Sequence, residues 1–230
     1  MNCDFTGDQI VYEDNHIIVV NKKSSQIVQG DKTGDMCLAD QIKDFLKIKY
    51  GKPGNVFCGV VHRLDRPVSG LVIFAKTDKA LSRLTQQIKD RKIQKIYWAV
   101  VKNRPPKDED TLVNYLVRNE KQNKSYIVPE GTRGAKEAVL HYRVLSESEG
   151  GYWLLEVELH TGRHHQIRAQ LAGMGCPIKG DLKYGFPRSN PDGSISLHSR
   201  KITLVHPVRK EEMQWIGDVP QGSVFEIFSH

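Results

Sequence analysis

Four cysteines are scattered through 230 residues at positions 3, 37, 58 and 176. None is in a C-x-x-C pair, so neither a zinc knuckle nor a disulfide framework is expected, and the thiols read as reduced and mostly buried. No run approaches the roughly 18 apolar residues that span a bilayer. The opening residues Met1 to Gln9 lack the basic-then-apolar pattern of an export signal, so a cytoplasmic protein is expected. There is no internal repeat, no low-complexity tract and no block of five like charges, which argues against a solenoid and against a disordered basic tail. What is present is ordinary globular composition, with 39% hydrophobic and 27% charged residues, carrying a formal charge of +7. That charge suits a polyanionic partner without identifying one, because Lys and Arg that neutralise phosphates release condensed counterions. The length fits one well-cored domain, spanning 1–230.

The pattern of elements is α+β. Ile10 to Tyr12 and Ile17 to Val20 read as a strand pair turning at Glu13 to His16. Asp35 to Tyr50 and Asp78 to Asp90 read as amphipathic helices, the second with Asp78 as N-cap. Lys92 to Val101 reads as a strand with Tyr97, Ala99 and Val101 on one face. Arg104 to Asp110 and Asn119 to Lys136 read as polar connections, the second an exposed hairpin or loop whose lysines and arginine could reach phosphates. Glu137 to Leu145 and Tyr152 to Leu159 read as antiparallel strands, His164 to Met174 as a helix, and Ile202 to Val205 as a short strand.

One stretch carries chemistry. His62 to Thr77, HRLDRPVSGLVIFAKT, sets Asp65 between Arg63 and Arg66 at a Pro- and Gly-bearing turn that runs into the apolar strand Val72 to Ala75. Flanking positive charge favours the ionised carboxylate over the reference pKa of about 3.9. Such an acid could serve as a nucleophile or as a loop staple, and the residues alone leave both open. Three histidines, His160, His164 and His165, invite a metal reading, but no acid or cysteine lies beside them at zinc-like spacing, and packing or contact with a polyanion explains them more simply.

HRLDRPVSG resembles the signature of the RluA-type pseudouridine synthases, which convert uridine in RNA to its carbon-linked isomer. VYEDNHIIVVNKKSSQIVQ, KIQKIYWAVV and HTGRHHQIRAQLAGMGCPIKGDLKYG resemble that family's opening strand pair, tyrosine segment and third motif, in the family's order, and AKEAVLHYRVL resembles a further segment. Together the resemblance runs from about Ile10 to about Pro207. It departs where Lys23, Ser24, Ser25 and Gln29 replace the usual Lys-Pro, Gly and His, and where Leu140 stands in place of a common Thr.

The resemblance implies a single catalytic domain with a mostly antiparallel mixed central sheet flanked by helices and loops, and no N-terminal S4 module. It implies Asp65 as nucleophile, Tyr97 packed on the uracil, and Arg168 gripping the Asp65 carboxylate in a bidentate fork. Arg63 would fill the gap left by a flipped uridine, with His62 and Arg66 shaping the same RNA-binding turn. Independently of the resemblance, Thr161, Gly162 and Arg163 form the turn that starts the third helix, where free backbone N–H groups could accept a phosphate, and Gln166 is counted with them as RNA-binding. The partner would be ribosomal or transfer RNA, met by a monomer, and the redox-neutral reaction implies no cofactor and no metal. Two rivals stand beside it: a glycosidase using Asp65 with Asp181 as second acid, and a catalytically silent RNA-binding module.

Overall fold

The computed structural model describes residues 4–30 and 34–228. In chain order the elements are β1 (Ile10–Glu13), β2 (Ile17–Lys22), α1 (Leu38–Lys49), β3 (Gly59–Val60), β4 (Ser69–Ala75), α2 (Asp78–Lys89), β5 (Gln94–Val101), β6 (Glu109–Asn119), β7 (Lys124–Val128), β8 (Lys136–Glu147), β9 (Trp153–Leu159), α3 (Gln166–Gly173), β10 (Leu197–Val205) and β11 (Glu212–Ile216). The fold is α+β. The chain forms two compact units, Met1–Ile93 with Ser199–Asp218, and Gln94–His198 with Val219–His230. Among the described residues no helix is long and apolar enough to cross a membrane.

In the first unit the strand order is β1-β2-β4-β10, with β3 on β4 and β11 on β10. All seven residues of β4 are buried, so it is covered on both faces, as its unbroken apolar run requires. Leu71, Ile73 and Ala75 join Ile17, Val19 and Leu84 in the core cluster on one of those faces. Burying a side chain of this size contributes about 1.5–3 kcal/mol relative to leaving it in water. The expected cap of α2 shifts by one residue: Thr77, not Asp78, is extended at the N-cap, and its hydroxyl accepts from Ala80 N at 3.2 Å. Helix α1 begins at Leu38 rather than Asp35, because the N–H groups of Leu38 and Ala39 donate to the carbonyls of Ile27 and Val28. Those backbone acceptors do the work of a side-chain cap.

In the second unit five antiparallel strands run β5-β9-β8-β6-β7. The sequence reading gave only β5, β8 and β9. The long strand β6 and its hairpin partner β7 fall in and around the segments read as polar connections, and β10 extends five residues earlier than expected. Helix α3 starts at Gln166 rather than His164, since His165 sits in the left-handed region at φ 53°. Leu116, Ala138, Ala169 and Tyr184 form the cluster that joins α3 to the sheet.

Candidate active site

The loop that carries Asp65 lies between β3 and β4 and is fixed at several points. His62 Nε2 accepts from Ile73 N at 3.1 Å, Leu64 and Val68 are buried, and Val68 N donates to Asp65 O at 3.1 Å. The carbonyl of Arg66 accepts from Ser25 N at 2.9 Å and from the ammonium of fully buried Lys22 at 3.2 Å. The Arg66 guanidinium pairs with Asp35 at 3.1 Å, while Arg63 is exposed. At the end of the turn, Gly70 is required twice over. Its φ is +112°, and a Cβ there would meet Ser199 backbone atoms at 2.4–2.8 Å. Asp65 thus sits half-buried on backbone clamped both before and after it.

Ser25 explains one departure from the family pattern in physical terms. It adopts φ +73°, a conformation that glycine enters freely and a serine enters at a cost of about 1–2 kcal/mol. The N–H that this geometry presents is the one that holds Arg66.

In the second unit, Tyr97 is buried on β5 opposite Val157 of β9. Arg168, on α3, is buried as well, and its Nε and Nη2 donate to the two carboxylate oxygens of buried Asp181 at 2.7 and 2.9 Å. Arg168 thus closes a bidentate fork on Asp181. This has two consequences. Asp181 is consumed in a buried pair and is not the second acid of a glycosidase. Arg168 also carries structure, since its removal would leave the buried Asp181 carboxylate without this fork. The guanidinium lies 5.1 Å from the centre of the Tyr184 ring, and Lys124 Nζ lies 5.0 Å from it.

At the expected phosphate cradle Thr161–Arg163, the N–H groups of Thr161 and Arg163 are engaged inside the protein. Thr161 N donates to Val139 O and Arg163 N to Gln166 Oε1 at 3.0 Å. The Gln166 amide further accepts from Thr161 Oγ1 at 2.8 Å and donates to Val139 O at 3.1 Å, while Arg163 Nε donates to Glu137 O. Thr161 and Gln166 form a buried clasp that fixes the start of α3, and those N–H groups are spent inside the protein. The histidines serve the same region. The His164 ring stacks on His165 at 3.7 Å, and its nitrogens face Ser125 Oγ at 2.9 Å and Asn123 Oδ1 at 3.0 Å. Burial, reinforced by the charge of Arg168, pushes His165 down to about 2, so it stays neutral beside the Tyr184 hydroxyl. Sequence reasoning missed Lys22, Tyr184 and the Arg168–Asp181 pairing. The signal available was an acid and a tyrosine three residues apart in a glycine-flanked turn.

Residues 16–173 match the model of a family described as RNA pseudouridylate synthase. The chain belongs to that family. An uncharacterized RNA pseudouridine synthase of Synechocystis sp. is 33% identical over 215 residues, covering 92% of this chain and 65% of that protein. Ribosomal large subunit pseudouridine synthase D of Haemophilus influenzae is 33% identical over 235 residues, covering 94% of this chain and 68% of that protein. The chain thus spans about two thirds of the length of these relatives. Among solved structures, human RNA pseudouridylate synthase domain containing 4 superposes with a TM-score of 0.78 at 25% identity, over 93% of this chain and 89% of that one. As a pseudouridylate synthase family member, the chain carries HRLDRPVSG within the matched span, on the clamped loop described above.

Proposed function

We propose that this chain is an RNA pseudouridine synthase, both units serving one catalytic domain, and that it isomerises uridine in structured RNA with Asp65 as nucleophile. The clamped loop carries this reading, because covalent catalysis needs a carboxylate whose approach to the reacting carbon is set before substrate arrives. In the reaction the N1–C1′ bond breaks, the base rotates, and a C5–C1′ bond forms. The C5 proton passes to solvent and N1 ends protonated, so no electrons are exchanged with a cofactor. Asp65 attacks C1′ of the ribose or C6 of the ring to hold the base captive. Tyr97 packs against the uracil, and its hydroxyl accepts the C5 proton. Arg168, oriented by Asp181, supplies positive charge.

A stacked uridine must be extruded first, at a cost of a few kcal/mol. Exposed Arg63 fills the gap, its guanidinium plane stacking on the neighbouring bases. The name of the Haemophilus relative favours ribosomal RNA as substrate over transfer RNA. The net charge of +7 suits either, and a monomer acting in the cytoplasm fits both.

Release of tritium from RNA labelled at C5 of uridine tests the proposal. Wild-type protein should release it, and Asp65→Asn should abolish release while retaining RNA on a filter. Turnover by Asp65→Asn would remove Asp65 from the mechanism. No release by wild type from ribosomal or transfer RNA would overturn the activity.

A further inference from the structure

Lys95 precedes Tyr97 by two positions on β5, so both side chains leave the strand on the same face, about 6.6 Å apart along it. Its ammonium reaches the turn that opens the third motif: Nζ lies 3.7 Å from where a Cβ on Gly162 would stand, and no other atom of the surrounding structure comes within 4 Å of that point. The side chain is partly buried, and burial lowers its pKa. Among the described residues no carboxylate, hydroxyl or carbonyl engages this ammonium. An enclosed cation without a partner is costly unless an anion completes it.

Gly162 adds an independent observation. It is exposed, its φ lies outside the left-handed region, and a Cβ would make only ordinary contact with Lys95. Neither backbone conformation nor packing inside the protein demands glycine there, whereas close approach of a ligand would.

We propose that Lys95 and the Gly162 turn form a phosphate site, in which the ammonium binds a backbone phosphodiester of the RNA next to the uridine under reaction. The inference rests on the isomerase reading and adds a residue that positions substrate. It replaces the backbone N–H cradle that the structure excludes at Thr161 and Arg163. The two-residue offset from Tyr97 is comparable to the span between a pyrimidine ring and the phosphate of its own nucleotide, so ring and phosphate can be held together.

The test uses the full chain and an unmodified ribosomal RNA transcript. Lys95→Met should raise KM about tenfold, as loss of one charge-assisted contact does, with kcat within about twofold. The slope of log affinity against log salt should fall by about 0.7–0.9, the value of one phosphate contact, and Lys95→Arg should restore it. Gly162→Asp places a carboxylate where the phosphate would sit and should weaken binding more than its isostere Gly162→Asn, with the difference vanishing in the Lys95→Met background. An unchanged salt slope in Lys95→Met, or equal affinities for Gly162→Asp and Gly162→Asn, would overturn the proposal. If wild-type protein binds the transcript without releasing tritium, the isomerase reading fails instead, and the salt slope still decides Lys95.

Discussion

Arg168→Met is expected to damage both stability and catalysis. Arg168 and Asp181 retain side-chain exposures of 6% and 1%, and two charge-assisted hydrogen bonds at 2.7 and 2.9 Å join them. Removing the guanidinium leaves a carboxylate with almost no contact with water, and breaking a buried pair in this way costs about 3–5 kcal/mol. Domain stabilities are about 5–15 kcal/mol, so a large fraction is lost. For a chain of this length the melting temperature should fall by roughly 6–20 °C, at about 2–4 °C per kcal/mol. Calorimetry on the purified variant reads the shift. The double variant Arg168→Met/Asp181→Leu, which removes both charges and keeps apolar volume, should recover most of the loss. If Arg168 acts in catalysis, that stable double variant should still release no tritium. A single Arg168→Met variant melting within about 2 °C of wild type would refute the buried-pair argument.

Gly70→Ala should lower soluble yield and melting temperature sharply, by more than about 3 kcal/mol, since its methyl group would overlap the Ser199 backbone at a φ closed to alanine. Ser25→Gly should be neutral to about 1 kcal/mol stabilising in urea, because relief of the left-handed serine outweighs the added freedom of the unfolded chain. Burial acts to raise the Glu13 pKa, but hydrogen bonds from Lys49, Lys76 and Tyr50 outweigh it and bring it from 4.5 to about 2. Since the folded value lies below the unfolded one, this stability is complete above pH 4.5 and drains away as pH falls towards 2. Glu13→Gln should flatten that acid limb in a pH series of melts, and an unchanged limb would assign the acid sensitivity elsewhere.

What could be read from the sequence was what local pattern determines. Strand β4 announced itself through an apolar run bounded by turn residues, and the β1–β2 pair through two short apolar runs around a polar turn. Helix α2 followed from Leu81, Leu84 and Ile88, with the cap misassigned by one because Thr77 and Asp78 are both competent and only the backbone geometry chooses. Strand β6 stayed hidden because just one of its eleven residues, Leu116, is fully buried, and its ladder partner β8 arrives only after the β7 hairpin. Asp65 was legible from its motif. The Arg168–Asp181 pair was not, since sequence separation alone does not single out an acid thirteen residues downstream. Likewise, the polar inventory of Thr161, Arg163 and Gln166 suggested a ligand site, and only geometry reveals that these groups satisfy one another.

The space at Gly70 sets limits on how this chain can be remodelled. Where only a hydrogen atom fits, a slip of β4 by one residue would bring Ser69 or Leu71 against the Ser199 backbone, so the strand has a single allowed alignment. Libraries should therefore leave 62–70 untouched and vary the turn from Pro129 to Gly134, which is exposed and where a Cβ on Gly131 or Gly134 would meet nothing within 4 Å.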